Sequence, residues 1–301
     1  MNAVLAMDVI PAQVPAPTLV AMERAVVAFA AEMQSTLVPP LYYRGDCIEA
    51  HGQCIPKDEV GGDLMDLIED GLEVIAYVSD VSGHGLRAGV LMGMIKTAMR
   101  YGLLLRRPLR SLVSDLNRLL PQVKEPSMFA TLAALRFDGS KDVEYVSAGH
   151  VPLLHFRKKS NDVISHYAQR FPLGLLADEA HASRRIRFDA GDIFLLPTDG
   201  AVELGEELDV EAGLQVLAQT LCKFNEHPLA EILEILQNEI SRLGAEHDDR
   251  TVLLVRALSR NGNHEEPGRQ WQPFNDSTCR EFLEARWRKM LADLAAALTD
   301  D

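Results

Sequence analysis

An acid followed by a glycine-rich turn, Asp80-Val81-Ser82-Gly83-His84-Gly85, joins the apolar run from Leu72 to Ser79 to the proline-free stretch from Leu86 to Met99. The run reads as a buried strand, because its β-branched and aromatic residues suit a pleated surface and Gly71 punctuates its start. The stretch after the turn reads as a helix. This order leaves a carboxylate exposed on a rigid strand end while the backbone turns sharply beside it, a place able to hold a cation. A single acid-glycine pair is most often only a turn, so the argument rests on the other acids of the chain.

Three further acids occur in similar settings. Asp63 follows Gly61-Gly62, Asp199 follows the apolar segment Asp192 to Leu196 within Thr198-Asp199-Gly200, and Asp248-Asp249 opens the strand-like segment Arg250 to Leu258. A set of oxygen ligands selects hard cations, Mg²⁺ or Mn²⁺, over zinc. Carboxylates gathered at one point repel unless cations lie among them. Taken one at a time, each of these acids reads equally as the cap of a turn.

In order along the chain, Glu59-Val60-Gly61-Gly62-Asp63, Asp80-Val81-Ser82-Gly83-His84-Gly85, Met128-Phe129-Ala130-Thr131, Ser147-Ala148-Gly149-His150-Val151-Pro152, Phe171-Pro172-Leu173-Gly174-Leu175, Thr198-Asp199-Gly200 and Asp248-Asp249-Arg250-Thr251 resemble the motifs of PPM-type, metal-dependent serine/threonine phosphatases of the bacterial RsbU/SpoIIE-like branch. The resemblance covers roughly residues 37–258. It implies an α-β-β-α sandwich binding two divalent cations, Mn²⁺ or Mg²⁺, at one end. Asp80 matches the bridging carboxylate, the Val81 carbonyl the backbone ligand, and Asp63, Asp199 and Asp248 the remaining acidic positions. Asp66 and Asp249 stand as partners behind these ligands or as solvated acids. His84 stands as a phosphate contact or a structural residue, since many relatives carry lysine there. No residue matches the phosphate-gripping arginine of the eukaryotic-type site; Lys57 is nearby but out of register.

The resemblance further implies that a metal-bridged water attacks phosphorus directly, without a covalent phosphoenzyme. Ser82 adjoins Asp80, but nothing in the sequence supplies it with an activating base. The implied substrate is phosphoserine or phosphothreonine on an anti-sigma-factor antagonist with a STAS domain, in a partner-switching pathway. A phosphoesterase acting on small molecules and a scaffold that binds signalling partners remain as alternatives; retention of all four acids argues against the scaffold.

The composition places the chain among globular proteins. Its 301 residues, 47% hydrophobic, suffice for one large domain with extensions. No apolar run approaches the roughly 20 residues of a membrane span, and no basic segment with an apolar core opens the chain, so a cytoplasmic location is expected. A formal charge of −14 argues against a nucleic-acid partner. Cys47, Cys54, Cys222 and Cys279 form no Cys-x-x-Cys pair and read as reduced thiols, with Cys47, His51 and Cys54 as a zinc alternative.

Residues 1–18 contain three prolines and read as a mobile leader. In residues 19–38, Leu19, Met22, Val26, Phe29 and Met33 recur at spacings of three and four, the seam of an amphipathic helix ending near Pro39-Pro40. That helix either lies on the domain or pairs in a homodimer through residues 19–37, which makes it a candidate regulatory segment. Residues 39–258 read as the phosphatase domain, of α+β class, with strands from Asp46 to Cys54 and Leu72 to Asp80, a helix from Pro108 closing at Pro121, six more strands, two amphipathic helices near Val210 to Lys223 and Leu229 to Leu243, and a last strand. Gly85, Gly89 and Gly93 fall on one helix face, where backbones approach closely. Residues 259–276 read as a linker and residues 277–301 as a C-terminal helix with an apolar stripe.

Overall fold

A computed structural model of the chain describes residues 16–71, 73–203, 209–244 and 247–259. It divides into two compact units, residues 33–264 and residues 1–32 with 265–301. The described part of the latter is the helical run 16–32, the beginning of α1 (Ala16–Leu37). The helix starts three residues ahead of the first residue of its expected seam. The remainder of the leader, most of the linker and the C-terminal helix lie outside the described residues.

In the unit formed by residues 33–264, two antiparallel sheets pack face to face. One has the order β1 (Leu41–Arg44), β2 (Ile48–Ile55), β11 (Arg250–Ala257), β10 (Ile193–Pro197), β7 (Leu153–Arg157), β8 (Asp162–His166); the other has the order β3 (Leu64–Asp70), β4 (Glu73–Val81), β5 (Ala130–Phe137), β6 (Asp142–Ala148), β9 (Ser183–Arg187). Helices α2 (Leu86–Leu104) and α3 (Leu109–Val123) cover the outside of the second sheet, and α4 (Val210–Phe224) and α5 (Leu229–Arg242) the outside of the first. The result is an α-β-β-α sandwich of α+β class. A large apolar cluster fills the space between the sheets and under α2 and α3, and a second lies between the β7-β10-β11 face and α4 with α5.

Strands β1 and β3 were not foreseen. Pro39-Pro40 hides the first, and the acids Asp66, Glu69 and Asp70 interrupt the alternation of the second. Pro121 lies inside α3 and does not end it. Near a helix end a proline forfeits only one hydrogen bond, and Lys124 N still reaches Leu120 O at 3.0 Å. The glycine face of α2 is used for packing as expected: a Cβ on Gly89 would strike Val60, and one on Gly93 would touch Leu37.

Candidate metal centre

Strand register brings the acids to one end of the sandwich. Asp80 is the penultimate residue of β4 and pairs with Thr131 of β5, while Leu64 pairs with Ser79 and so puts Asp63 at the same end of that sheet. On the facing sheet, Pro197 pairs with Val252, which sets Asp199 two residues after β10 and Asp248 two residues before β11. Thr198 N donates to Thr251 O at 3.0 Å and extends this pairing into the site. Only a glycine fits at position 200, since a Cβ there would collide with the Asp249 carbonyl.

Asp63 is buried, 1% exposed, and its two oxygens are treated differently. Oδ2 accepts from Thr198 Oγ1 at 2.8 Å and from Thr251 Oγ1 at 2.7 Å. Oδ1 is buried without a hydrogen-bond partner, the kind of orphaned acceptor that needs an explanation such as an ion. Burial, and after it the charge of Asp80, pushes the Asp63 carboxyl well above the usual carboxylate range. Asp80 is raised as well, first by burial and then by Asp199, Asp248, Asp249 and Glu203. Asp199 is pushed up to about 6, by burial and then by Asp248. Acids that raise one another in this way are close neighbours whose negative charge a cation would offset.

The donor set fits hard divalent cations. It consists of carboxylates and the Val81 carbonyl, and Gly62 keeps that carbonyl clear, since a Cβ there would come within 2.5 Å of it. Among the described residues no three His, Cys, Asp or Glu side chains gather around one point. Magnesium fits such a site, because it binds through one or two carboxylates and completes its shell with water.

Of the other sequence-predicted residues, Asp249 supports this end, while Asp66, 4% exposed, is no solvated acid and bonds to no candidate ligand. Asp249 is 3% exposed; its Oδ1 accepts from Lys57 N at 2.8 Å and its Oδ2 from Gly62 N at 2.6 Å, so it ties down the loop that carries Asp63. Asp66 is held by α2, where Arg100 grips both oxygens at 2.6 and 2.7 Å and Lys96 lies 3.2 Å away, and by Tyr77 of β4, whose Oη donates at 3.1 Å. His84 is exposed and stands 3.2 Å from the Asp58 carboxylate. Ser82 Oγ accepts from Phe129 N at 2.8 Å, a structural bond with no base beside it. Gly83 and Gly85 carry φ values of 88° and 76°, which the turn after Asp80 requires and side chains resist. The zinc alternative is overturned. His51 and Cys54 are three residues apart on β2 and so point to opposite faces, and burial pushes the Cys54 thiol up, away from the thiolate that zinc needs.

Four supporting residues carry roles that the sequence reading did not assign. Thr198 and Thr251 hold Asp63. His150, 3% exposed, bridges the two sheets behind the acids: Nε2 donates to Pro197 O at 2.8 Å, which leaves Nδ1 to accept from Thr131 Oγ1 at 2.7 Å. Thr131 is the cross-strand partner of Asp80 and Pro197 lies two residues before Asp199, so the imidazole ties β10 to β5, the neighbour of the strand that carries Asp80. Burial pushes His150 down to about 4 and keeps the ring neutral. Gln34, at the end of α1, exchanges two hydrogen bonds with Gly61. The threonines lie within the acid-bearing motifs and the histidine within a motif without an acid, while Gln34 lies outside them all.

Residues 70–258 match the family model described as "Stage II sporulation protein E (SpoIIE)". The phosphoserine phosphatase RsbU of Bacillus subtilis (strain 168) is 25% identical over 239 residues, covering 76% of this chain and 69% of that protein. The structure of the RsbU and RsbW domains of Rv1364c from Mycobacterium tuberculosis is similar with a TM-score of 0.66 at 21% identity, over 85% of this chain and 70% of that one. RsbX in complex with magnesium is similar with a TM-score of 0.57 at 17% identity, over 72% of this chain and 99% of that one. At these identities the solved structures speak for the fold.

Proposed function

The chain belongs to the SpoIIE family, and from that membership together with the carboxylate end of the sandwich we propose that it is a protein serine/threonine phosphatase dependent on Mn²⁺ or Mg²⁺. Residues 39–258 form its catalytic domain. The observation that carries the reading is Asp63: one oxygen locked by two threonine hydroxyls, the other buried and unpartnered, beside acids that raise one another's affinity for protons. Asp63, Asp80, Asp199 and Asp248, with the Val81 carbonyl, would hold two ions, and the magnesium complex of RsbX supports the choice of cation. Bound there, divalent cations supply a water of lowered pKa and positive charge for the phosphoryl oxygens. The chain's own part is to orient the carboxylates: Thr198 and Thr251 fix Asp63, Asp249 fixes its loop, and His150 ties β10, which leads to Asp199, to β5 beside the strand of Asp80. Ser82, committed to Phe129 N, is no nucleophile in this scheme.

We infer further that the substrate is a phosphorylated STAS-domain antagonist of an anti-sigma factor, a reading supported by similarity to the phosphoserine phosphatase RsbU and to a chain that joins RsbU and RsbW domains. A phosphate adds about −1.5 to −2 charges to a binding surface, enough to break an interface that hydrolysis restores. Residues 19–37 are proposed as a regulatory and dimer-forming segment; Met22, Val26, Met33 and Leu37 are exposed apolar residues of α1. Among the described residues no helix is long and apolar enough to cross a membrane, in keeping with a cytoplasmic enzyme. The test compares turnover of the phosphorylated STAS protein from the same genome with that of unrelated phosphopeptides and free phosphoserine. Equal or higher kcat/KM for the latter two would remove the partner-switching assignment and leave the metal phosphatase standing.

A further inference from the structure

We propose that the open edge of the sandwich, between β8 and β9, is a docking cleft for an acidic segment of the protein substrate. Strand β8 ends one sheet and β9 ends the other, and between them lies a cavity of about 670 Å³. Arg157, Lys159, Arg184, Arg185 and Arg187 line it, in a chain whose formal charge is −14. Arg157, Arg185 and Arg187 pair with Asp162, Asp138 and Asp142, but their own side chains are 41%, 50% and 69% exposed, where such pairs contribute little. Among the described residues Lys159 and Arg184 have no carboxylate partner; the Arg184 guanidinium lies 5.8 Å from the centre of the Tyr145 ring. Of the two acids in the lining, Asp192 is 3% exposed and already accepts hydrogen bonds from His155, Lys158 N and Asp189 N, which leaves Asp189 as the exposed one.

The proposal rests on the phosphatase reading for its consequence. An acidic enzyme repels an acidic phosphoprotein at long range, so productive encounter needs a local patch of opposite sign. The cleft supplies one. Arg184 faces Tyr145 in the register of β6 with β9, three strands over from β4, where Asp80 sits. At strand spacings of about 4.8 Å across and 3.4 Å per residue along, that is roughly 15–20 Å from the acids. An acidic run held there would lie about five or six extended residues from the phosphoserine.

The test uses two fluorescent phosphoserine peptides on the full chain with chelator present, one carrying a run of Asp and Glu six residues from the phosphoserine and one with Ser and Gly in its place. Anisotropy is expected to give at least tenfold tighter binding of the acidic peptide, weakening steeply with salt, and Lys159→Glu and Arg184→Glu are each expected to remove most of the preference. Both variants should hydrolyse p-nitrophenyl phosphate with Mn²⁺ as the parent does; Lys159, exposed in a turn, serves if Arg184→Glu proves unstable. Equal binding of the two peptides would overturn the proposal. So would a preference retained in both variants, or displacement of the acidic peptide by a DNA oligonucleotide at equal charge. Loss of all p-nitrophenyl phosphate turnover in the parent would instead sink the phosphatase reading, while the anisotropy would still decide the cleft.

Discussion

Gln34 and Gly61 exchange two hydrogen bonds, Gln34 Nε2 to Gly61 O at 3.0 Å and Gly61 N to Gln34 Oε1 at 2.8 Å. Both groups are buried, and Gly61 lies two residues before Asp63. The last turn of α1 is therefore fastened to the loop that carries a candidate metal ligand. Gln34→Ala leaves a buried N–H and C=O unpaired, a local cost of about 1–3 kcal/mol. We expect the Mn²⁺ concentration for half-maximal turnover to rise several-fold while the fold persists. Metal titration of p-nitrophenyl phosphate hydrolysis, with circular dichroism as the control, checks this. An unchanged midpoint would uncouple α1 from the site.

The hydroxyls on Asp63 Oδ2 should matter through affinity. Groups that orient ligands typically contribute 10–100-fold to metal binding. Thr198→Val and Thr251→Val keep the branched shape and remove the donors, so each is expected to weaken Mn²⁺ binding about tenfold in calorimetry. Wild-type affinity in both variants would contradict the role given to these threonines.

His150 yields a pH dependence with a definite sign. Its folded pKa is lowered to about 4 against an unfolded value near 6.5. The unfolded state therefore binds the extra proton, and this group's contribution is present above pH 6.5 and lost as pH falls from 6.5 toward 4. A difference of about 2.5 units corresponds to roughly 3 kcal/mol at most. His150→Gln should flatten the fall in melting temperature between pH 6.5 and 4.5, and it should also weaken Mn²⁺ binding, because the bridge between β10 and β5, the neighbour of the strand of Asp80, is gone. A parallel pH profile in the variant would show that the ring does not stay neutral in the fold.

The acids were legible in the sequence because each sits at a strand end or turn, Asp63 and Asp199 beside glycine and Asp80 just before Ser82-Gly83, where few structural demands other than a site or a turn select a carboxylate. The sandwich was legible because β4, β5, β7 and β10 are short apolar runs bounded by turn residues. Strand β3 was hidden because Asp66 is an internal ion-pair partner: its sheet position is stabilised by Lys96 and Arg100 of α2, residues thirty or more positions away. The hydroxyl and imidazole bonds that aim the acids were illegible for the same reason. Thr251 and Asp63 are 188 residues apart and Gln34 and Gly61 are 27 apart, and local pattern carries no information on such pairs. The cationic cleft escaped notice because its five residues come from β7, the turn after it and β9, each unremarkable alone.

The central claim is that the carboxylate end of the sandwich works by holding divalent cations through Asp80. Its most direct test is the turnover of p-nitrophenyl phosphate by the wild-type chain and by Asp80→Asn, each assayed in excess chelator and then with Mn²⁺ restored. The account predicts no turnover in chelator, recovery on adding Mn²⁺ for the wild type alone, and a variant that stays folded but at least a hundredfold less active. Full activity in chelator, or an Asp80→Asn protein as active as the wild type, would contradict it.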